Sequence, residues 1–218
     1  ATLTFGTAIN LIDRVYNGTT NATTVASYPT LSGYASGDSS TNVSVTGGTV
    51  EVFSGVNAGN YSVSVSNLSL TGSKASNYIL GATTSTDSSV AITKKSITVT
   101  GTAGVNKTYD GTTNLPNGTY YSVTGLVGSD TLSTTGSGVY SSKDAGSRSI
   151  TQGTLTLSGD SATNYSMSWS NGSGTIAKAT LTMKANDTMK VITDTDPLFT
   201  AQYSGFVNGE TSSVVSST

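Results

Sequence analysis

A self-similarity at long spacing constrains this chain more than any other feature of its sequence. Arg14-Val15-Tyr16-Asn17-Gly18-Thr19-Thr20-Asn21 recurs as Lys107-Thr108-Tyr109-Asp110-Gly111-Thr112-Thr113-Asn114, an offset of 93 residues. Asn57-Ala58-Gly59 returns as Asp144-Ala145-Gly146. Leu70 to Tyr78 returns as Leu157 to Tyr165 at an offset of 87, and Ile92-Thr93-Lys94 returns as Ile176-Ala177-Lys178 at an offset of 84. A shrinking offset places deletions in the loops of the second copy, where chains tolerate them. Repeats of this kind decide an architecture before any local motif does, because each copy must adopt the same small fold.

A third copy opens from 178. Leu181-Thr182-Met183 matches Ile97-Thr98-Val99, and Gly205-Phe206-Val207-Asn208-Gly209-Glu210 matches Gly125-Leu126-Val127-Gly128-Ser129-Asp130 and, more loosely, Gly33 to Asp38. We therefore expect two whole modules, 1–93 and 94–177, and an opening half-module at 178–218. The natural protein is expected to continue past Thr218.

Composition says what the modules are made of. The chain holds 36 Ser, 40 Thr and 25 Gly but only two Glu. Thr suits a pleated strand and Gly and Ser suit turns. The apolar residues alternate with small polar ones, as in Tyr61-Ser62-Val63-Ser64-Val65 and Ile97-Thr98-Val99-Thr100. Period-two alternation marks strands with one face in a core, and it separates this chain from disordered Ser/Thr/Gly-rich sequences. Strands are expected near 2–6, 43–46, 49–53, 61–66, 67–71, 77–80 and 88–92. In the second module they are expected near 96–100, 131–134, 137–141, 148–151, 153–157, 164–169 and 174–177. Gly47-Gly48 and Asn171-Gly172 read as hairpin turns. The stretch 92–97 lacks Gly and Pro and predicts a short, stiff joint between modules.

The fold class expected is mostly β: small β-grasp-like or sandwich-like modules arranged end to end. The alternative is a β-solenoid, whose rungs would recur every ~20–30 residues; no such period is found within a module.

Several function classes lack their materials. There is no His and no Cys, so the commonest general base and the thiol nucleophile are absent, and an enzyme is not expected. No Gly-rich phosphate loop follows a strand and opens a helix. Ten scattered basic residues and a net charge of −2 make no nucleic-acid footprint. No apolar run approaches the ~20 residues of a membrane span, and residues 1–20 lack a signal-peptide pattern. Any export signal or anchor is expected outside this segment. Asp194-Thr195-Asp196 offers two oxygen donors to Ca²⁺, fewer than such a loop gathers, so no metal and no cofactor is expected.

The repeated motifs resemble the YDG domains of large bacterial surface adhesins and the related MBG ("mostly beta-grasp") domains. The resemblance is carried by Lys107 to Thr113, by Arg14 to Thr20 with Asn17 in the Asp position, and, for the MBG variant, by Lys190 to Pro197 and Tyr203 to Glu210. The resemblance implies a stalk or spacer segment of a filamentous haemagglutinin-like adhesin, secreted or at the bacterial cell surface, serving adhesion, biofilm or extracellular filament structure.

For the motif residues Tyr16, Asn17, Gly18, Thr19 and Thr20, and Tyr109, Asp110, Gly111, Thr112 and Thr113, turn chemistry predicts a structural role: Asn or Asp caps nearby backbone N–H groups and Gly accepts positive φ. Two other functions stay open. One is a glycan- or host-surface-binding module with Trp169, Tyr120 and Tyr121 as ligand contacts. The other is a self-assembling fibre subunit whose half-module is completed by a neighbouring chain. The partners expected are thus neighbouring repeat modules of the same or adjacent chains.

Overall fold

The structure is a computed structural model that describes residues 1–215. It divides into two compact units. Unit 1 comprises Ala1–Ile97, Gly125–Ser133 and Ser158–Ser166; unit 2 comprises Thr98–Thr124, Thr134–Leu157 and the described residues from Met167 onward. Each unit thus combines the body of one sequence repeat with segments of the next.

In unit 1 a four-stranded sheet runs in the order Arg14–Val15, Ser85–Thr93, Gly59–Thr71, Ser44–Val50. The long neighbours pair antiparallel, and the two-residue strand at Arg14 pairs parallel with Ile92 and Thr93. A smaller sheet places Thr2–Phe5 between Leu31–Ser32 and Ile79–Leu80. Val63, Val65, Val90 and Ile92 are buried on the large sheet, and Leu3, Val43 and Tyr78 form a second cluster. Each buried aliphatic side chain contributes roughly 1.5–3 kcal/mol relative to exposure.

Unit 2 repeats that scheme. Its four-stranded sheet runs Lys107–Thr108, Gly172–Ala177, Gly146–Thr151, Val139–Tyr140. Gly146 faces Ile176 as Gly59 faces Ile92, and Lys107 faces Ile176 as Arg14 faces Ile92. The core is Val105, Tyr140, Ile150 and Ile176, with Trp169 and Tyr120 packed against it. Thr98 to Gly101 pair antiparallel with Thr124 to Tyr121, and Thr182–Ala185 pairs antiparallel with Ala201–Ser204. The fold is mostly β, with only three single-turn 3-10 helices among the described residues. Its long pairings are antiparallel, unlike the stacked parallel rungs of a solenoid.

Both expected hairpin turns are corrected. Gly47 and Gly48 lie inside the strand Ser44–Val50, with φ of +71° and +96°, opposite Asn67 at φ +58°. Three left-handed residues facing each other kink the pair rather than reverse it. The kink also shifts the burial phase of Gly59–Thr71, from Val63 and Val65 to Leu68. Strands expected at 61–66 and 67–71 are consequently one. A Cβ on Gly48 would stand 2.7 Å from Val65 Cγ1, so Gly is required there by close approach as well as by φ. Asn171-Gly172 does not join a hairpin either, because the strands on its two sides belong to different sheets.

Two further expectations shift. Asn77 and Asn164 end 3-10 turns, Ala75–Asn77 and Ala162–Asn164, instead of starting strands. Each turn is closed by the following Tyr N–H donating to the Ala carbonyl. The strands at Asn10–Leu11, Arg14–Val15, Val25–Ser27, Leu31–Ser32, Lys107–Thr108 and Tyr121–Thr124 were not expected. Most have two or three residues, too short for a periodic pattern.

Candidate functional site: the tyrosine loops

Each repeated motif leaves its two-residue parallel strand and turns at once. Tyr16 N–H donates to the Thr93 carbonyl at 2.8 Å, and Tyr109 N–H to that of Ala177 at 2.7 Å. The next residue closes an Asx turn. Asn17 Oδ1 accepts from the Thr19 N–H and hydroxyl at 3.1 and 2.9 Å; Asp110 Oδ1 accepts from the Thr112 N–H and hydroxyl, both at 2.9 Å. Gly18 and Gly111 follow at φ +75° and +74°, a region that L side chains avoid.

The basic residue that opens the motif holds the loop from inside. Lys107 Nζ donates to Asp110 Oδ1 at 2.7 Å and to the Thr112 and Asn114 carbonyls, each at 2.8 Å, with its side chain only 8% exposed. Lys107 is the main cause that lowers the Asp110 carboxyl to a pKa of about 2. Arg14 plays the same part for the neutral Asn17, through Oδ1 and the Thr19 carbonyl, and its guanidinium stacks over Phe53 at 4.6 Å. Thr20 and Thr113 then accept through their carbonyls from the N–H of Phe53 and Tyr140, both at 2.9 Å. All ten motif residues therefore lie in two matching loops, and most of their polar groups are used within the loop.

The tyrosine ring is the exception, because it points out of its own loop. In unit 1 the Tyr16 hydroxyl donates to Asp130 Oδ2 at 2.9 Å, and the Tyr165 hydroxyl donates to the same oxygen at 2.6 Å. The rings meet edge-on at 5.5 Å, and Tyr165 Oη accepts from the Val127 N–H at 2.8 Å. Burial first, and the bond to Asp130 second, raise both tyrosine pKa values, that of Tyr165 to about 12. Both phenols are thereby kept as protonated donors. Beside them Asn164, 2% exposed, accepts from the Ala58 N–H at 2.8 Å and donates to Asn57 Oδ1 at 3.0 Å.

Unit 2 repeats the essential contact: the Tyr109 hydroxyl donates to Glu210 Oε1, and Asn208 Nδ2 donates to the Gly111 carbonyl at 3.1 Å. The loop glycines sit against these partner turns. A Cβ on Gly18 would stand 3.1 Å from Val127 Cγ1, and one on Gly111 only 2.5 Å from Asn208 Cβ. Asp130 and Glu210 are the functional residues that motif reading missed. Their signal was present, since both end the same recurring Gly-x-Val-x-x-acid segment, but nothing in it says what the acid bonds.

The three aromatics expected to contact a ligand do come together. Tyr120, Tyr121 and Trp169 line one pocket of about 520 Å³ in unit 2. Their polar tips are all engaged internally: Trp169 Nε1 donates to the Ile150 carbonyl at 3.3 Å, the Tyr120 hydroxyl to that of Asn117 at 3.1 Å, and the Tyr121 hydroxyl bonds Thr134 Oγ1. At the Asp194-Thr195-Asp196 segment, Asp196 is ion-paired with Lys190 at 2.6 Å.

A mostly β chain with internally repeated, self-bonded loops defines a tandem-module protein. The YDG domain profile matches residues 1–86 and 93–174, and the MBG domain (YGX type) profile matches residues 181–218. The YDG matches cover more than half of the chain, and the chain belongs to the YDG domain family. No curated protein and no solved structure matches it.

Proposed function

We propose that the chain is a non-catalytic stalk segment of an exported bacterial surface adhesin, working without cofactor or metal. The observation that carries this reading is the twice-repeated bond from the tyrosine of one repeat to a carboxylate of the next, Tyr16 to Asp130 and Tyr109 to Glu210. A stalk needs successive repeats interlocked, and each of these partly buried, charge-assisted hydrogen bonds ties an acid of one repeat into the compact unit built on the repeat before it. Activated groups are not what the loops supply: their tyrosines are held protonated and their basic residues are tied to carbonyls. Adhesion, biofilm or extracellular filament structure is the role that such a segment serves.

The test is antibody labelling of intact, unpermeabilised cells of the source organism, with attachment compared between wild type and a deletion strain. Surface labelling and reduced attachment are expected. Labelling only after permeabilisation refutes the proposal. A glycan-binding role is the second reading, favoured by the shared pocket of Tyr120, Tyr121 and Trp169. A glycan array probed with wild type and Trp169→Ala tests it, and a blank wild-type array eliminates it.

A further inference from the structure

Unit 1 shows what the corner before a long strand receives. Asn57-Ala58 precedes Gly59–Thr71, and the turn Ala162–Asn164 seats against it through Asn164, with Tyr165 edge-on to Tyr16. In unit 2 the equivalent corner is Asp144-Ala145, before Gly146–Thr151. It is braced in the same way. The Tyr61 hydroxyl donates to the Asn57 carbonyl at 2.7 Å, while Arg148 donates to the carbonyls of Asp144 at 2.8 Å and Ala145 at 2.9 Å.

What differs is the cover. Tyr16 is 5% exposed beneath Tyr165, whereas Tyr109 is only half-buried. A pocket of about 600 Å³ is lined by Tyr109, Asp144 and Ala145 together with Leu181, Phe206 and Val214. Leu181 and Val214 are 40% and 59% exposed. Large apolar groups lining an open pocket beside a braced backbone corner mark a docking surface.

We infer that this pocket is the receptor for an Ala-x-Asn-Tyr 3-10 turn of a further YDG-type repeat. The tyrosine lies edge-on to Tyr109, and the asparagine oxygen accepts from the Ala145 N–H while its Nδ2 donates to Asp144. Asp144 replaces Asn57 at this corner and, as a carboxylate, only accepts. Its oxygens already accept from Ser142 Oγ at 3.0 Å and Lys143 Nζ at 3.3 Å, and a carboxylate has room for a further donor, which Asn brings and an ionised Asp does not. The inference rests on reading the tyrosine loops as locks between repeats, and it adds the partner that the second lock takes.

The test uses the full chain, extended after Thr218 by a Gly/Ser linker of about twelve residues and a copy of Leu157–Ser170. Val215 already lines the pocket, and such a linker reaches up to ~40 Å while holding the turn at about millimolar effective concentration. Amide exchange at Ala145 is measured in the unextended chain, the native extension, and extensions carrying Asn164→Ala or Asn164→Asp in the appended copy. The native extension is expected to slow exchange by about tenfold or more, and both variants are expected to abolish the slowing. Equal exchange with native and Asn164→Ala extensions overturns the inference, whether both are slowed or neither is. If Tyr16→Phe weakens unit 1 while Ala145 gains nothing, the lock reading stands and only this assignment falls.

Discussion

Replacing Tyr16 by Phe removes one hydroxyl and leaves the ring in its edge-on contact with Tyr165. The hydroxyl donates to a carboxylate at 2.9 Å from a residue that is 5% exposed. Hydrogen bonds to charged groups contribute about 1.5–3 kcal/mol. Asp130 keeps its 2.6 Å bond from Tyr165, so it is not stranded, and the low end applies: about 1.5 kcal/mol of unit 1 stability. Asp130→Ala strands two buried phenols and costs more, about 3 kcal/mol. On the Asp130→Ala background the Tyr16 hydroxyl has already lost its acceptor, so adding Tyr16→Phe costs less there, and the cycle should return a coupling of about 1 kcal/mol or more. The assay is urea-dependent amide exchange over peptides containing Val15, Tyr16 and Val127. It resolves unit 1 without assuming that the chain unfolds in one step. Tyr28→Phe serves as the control, because the Tyr28 hydroxyl bonds the Gly47 carbonyl at 3.1 Å from an exposed position. If Tyr16→Phe costs no more than Tyr28→Phe, or if the coupling is nil, the tyrosine is not a lock and the proposed stalk role loses its carrying observation.

Alkali should act through the same pair. Folding raises the Tyr165 pKa from about 10 to about 12, so its contribution is complete below pH ~10 and fades as pH rises toward 12. Melting temperature should fall over that window, and less steeply in Tyr165→Phe. Acid acts on the other loop: Asp110 is depressed to about 2, so its contribution, present above the unfolded value of ~3.9, is lost as pH falls toward 2. The carboxylate is 51% exposed, so the effect is small and screened by salt. Asp110→Asn, which reproduces the Asn17 arrangement, should flatten the acid limb of a pH–stability curve. Among the loop glycines, Gly111→Ala should cost more than Gly18→Ala in a thermal melt. Both strain a positive φ by about 1–3 kcal/mol, but only Gly111 adds a 2.5 Å clash with Asn208 Cβ.

Much of this protein was legible in one dimension because a repeat states its own equivalences. The recurrence of Tyr-Asn-Gly-Thr-Thr as Tyr-Asp-Gly-Thr-Thr, joined to alternation such as Val63-Ser64-Val65, implied two copies of one mostly β scheme, and the matching sheet orders and registers show it. The Asx turns and left-handed glycines of the motif were also local matters, since side chain and acceptor lie two residues apart. Gly47-Gly48 shows where local reasoning stops: positive φ was the correct inference, but whether it reverses a chain or kinks a strand depends on Asn67, which faces it across the sheet.

Everything that makes the motif a lock is longer-range still. Tyr16 and Asp130 are 114 residues apart, Tyr109 and Glu210 are 101 apart, and Ala58 and Asn164 are 106 apart. The repeat marks which residues are equivalent but not which of them meet, because a side chain's partner is set by packing and not by position along the chain. The sequence by itself determined the repeat, the strand-rich class and the shape of each loop, all consequences of φ, ψ and nearest neighbours. Only the tertiary structure decided that each tyrosine leaves its loop to bond the acid of the following repeat.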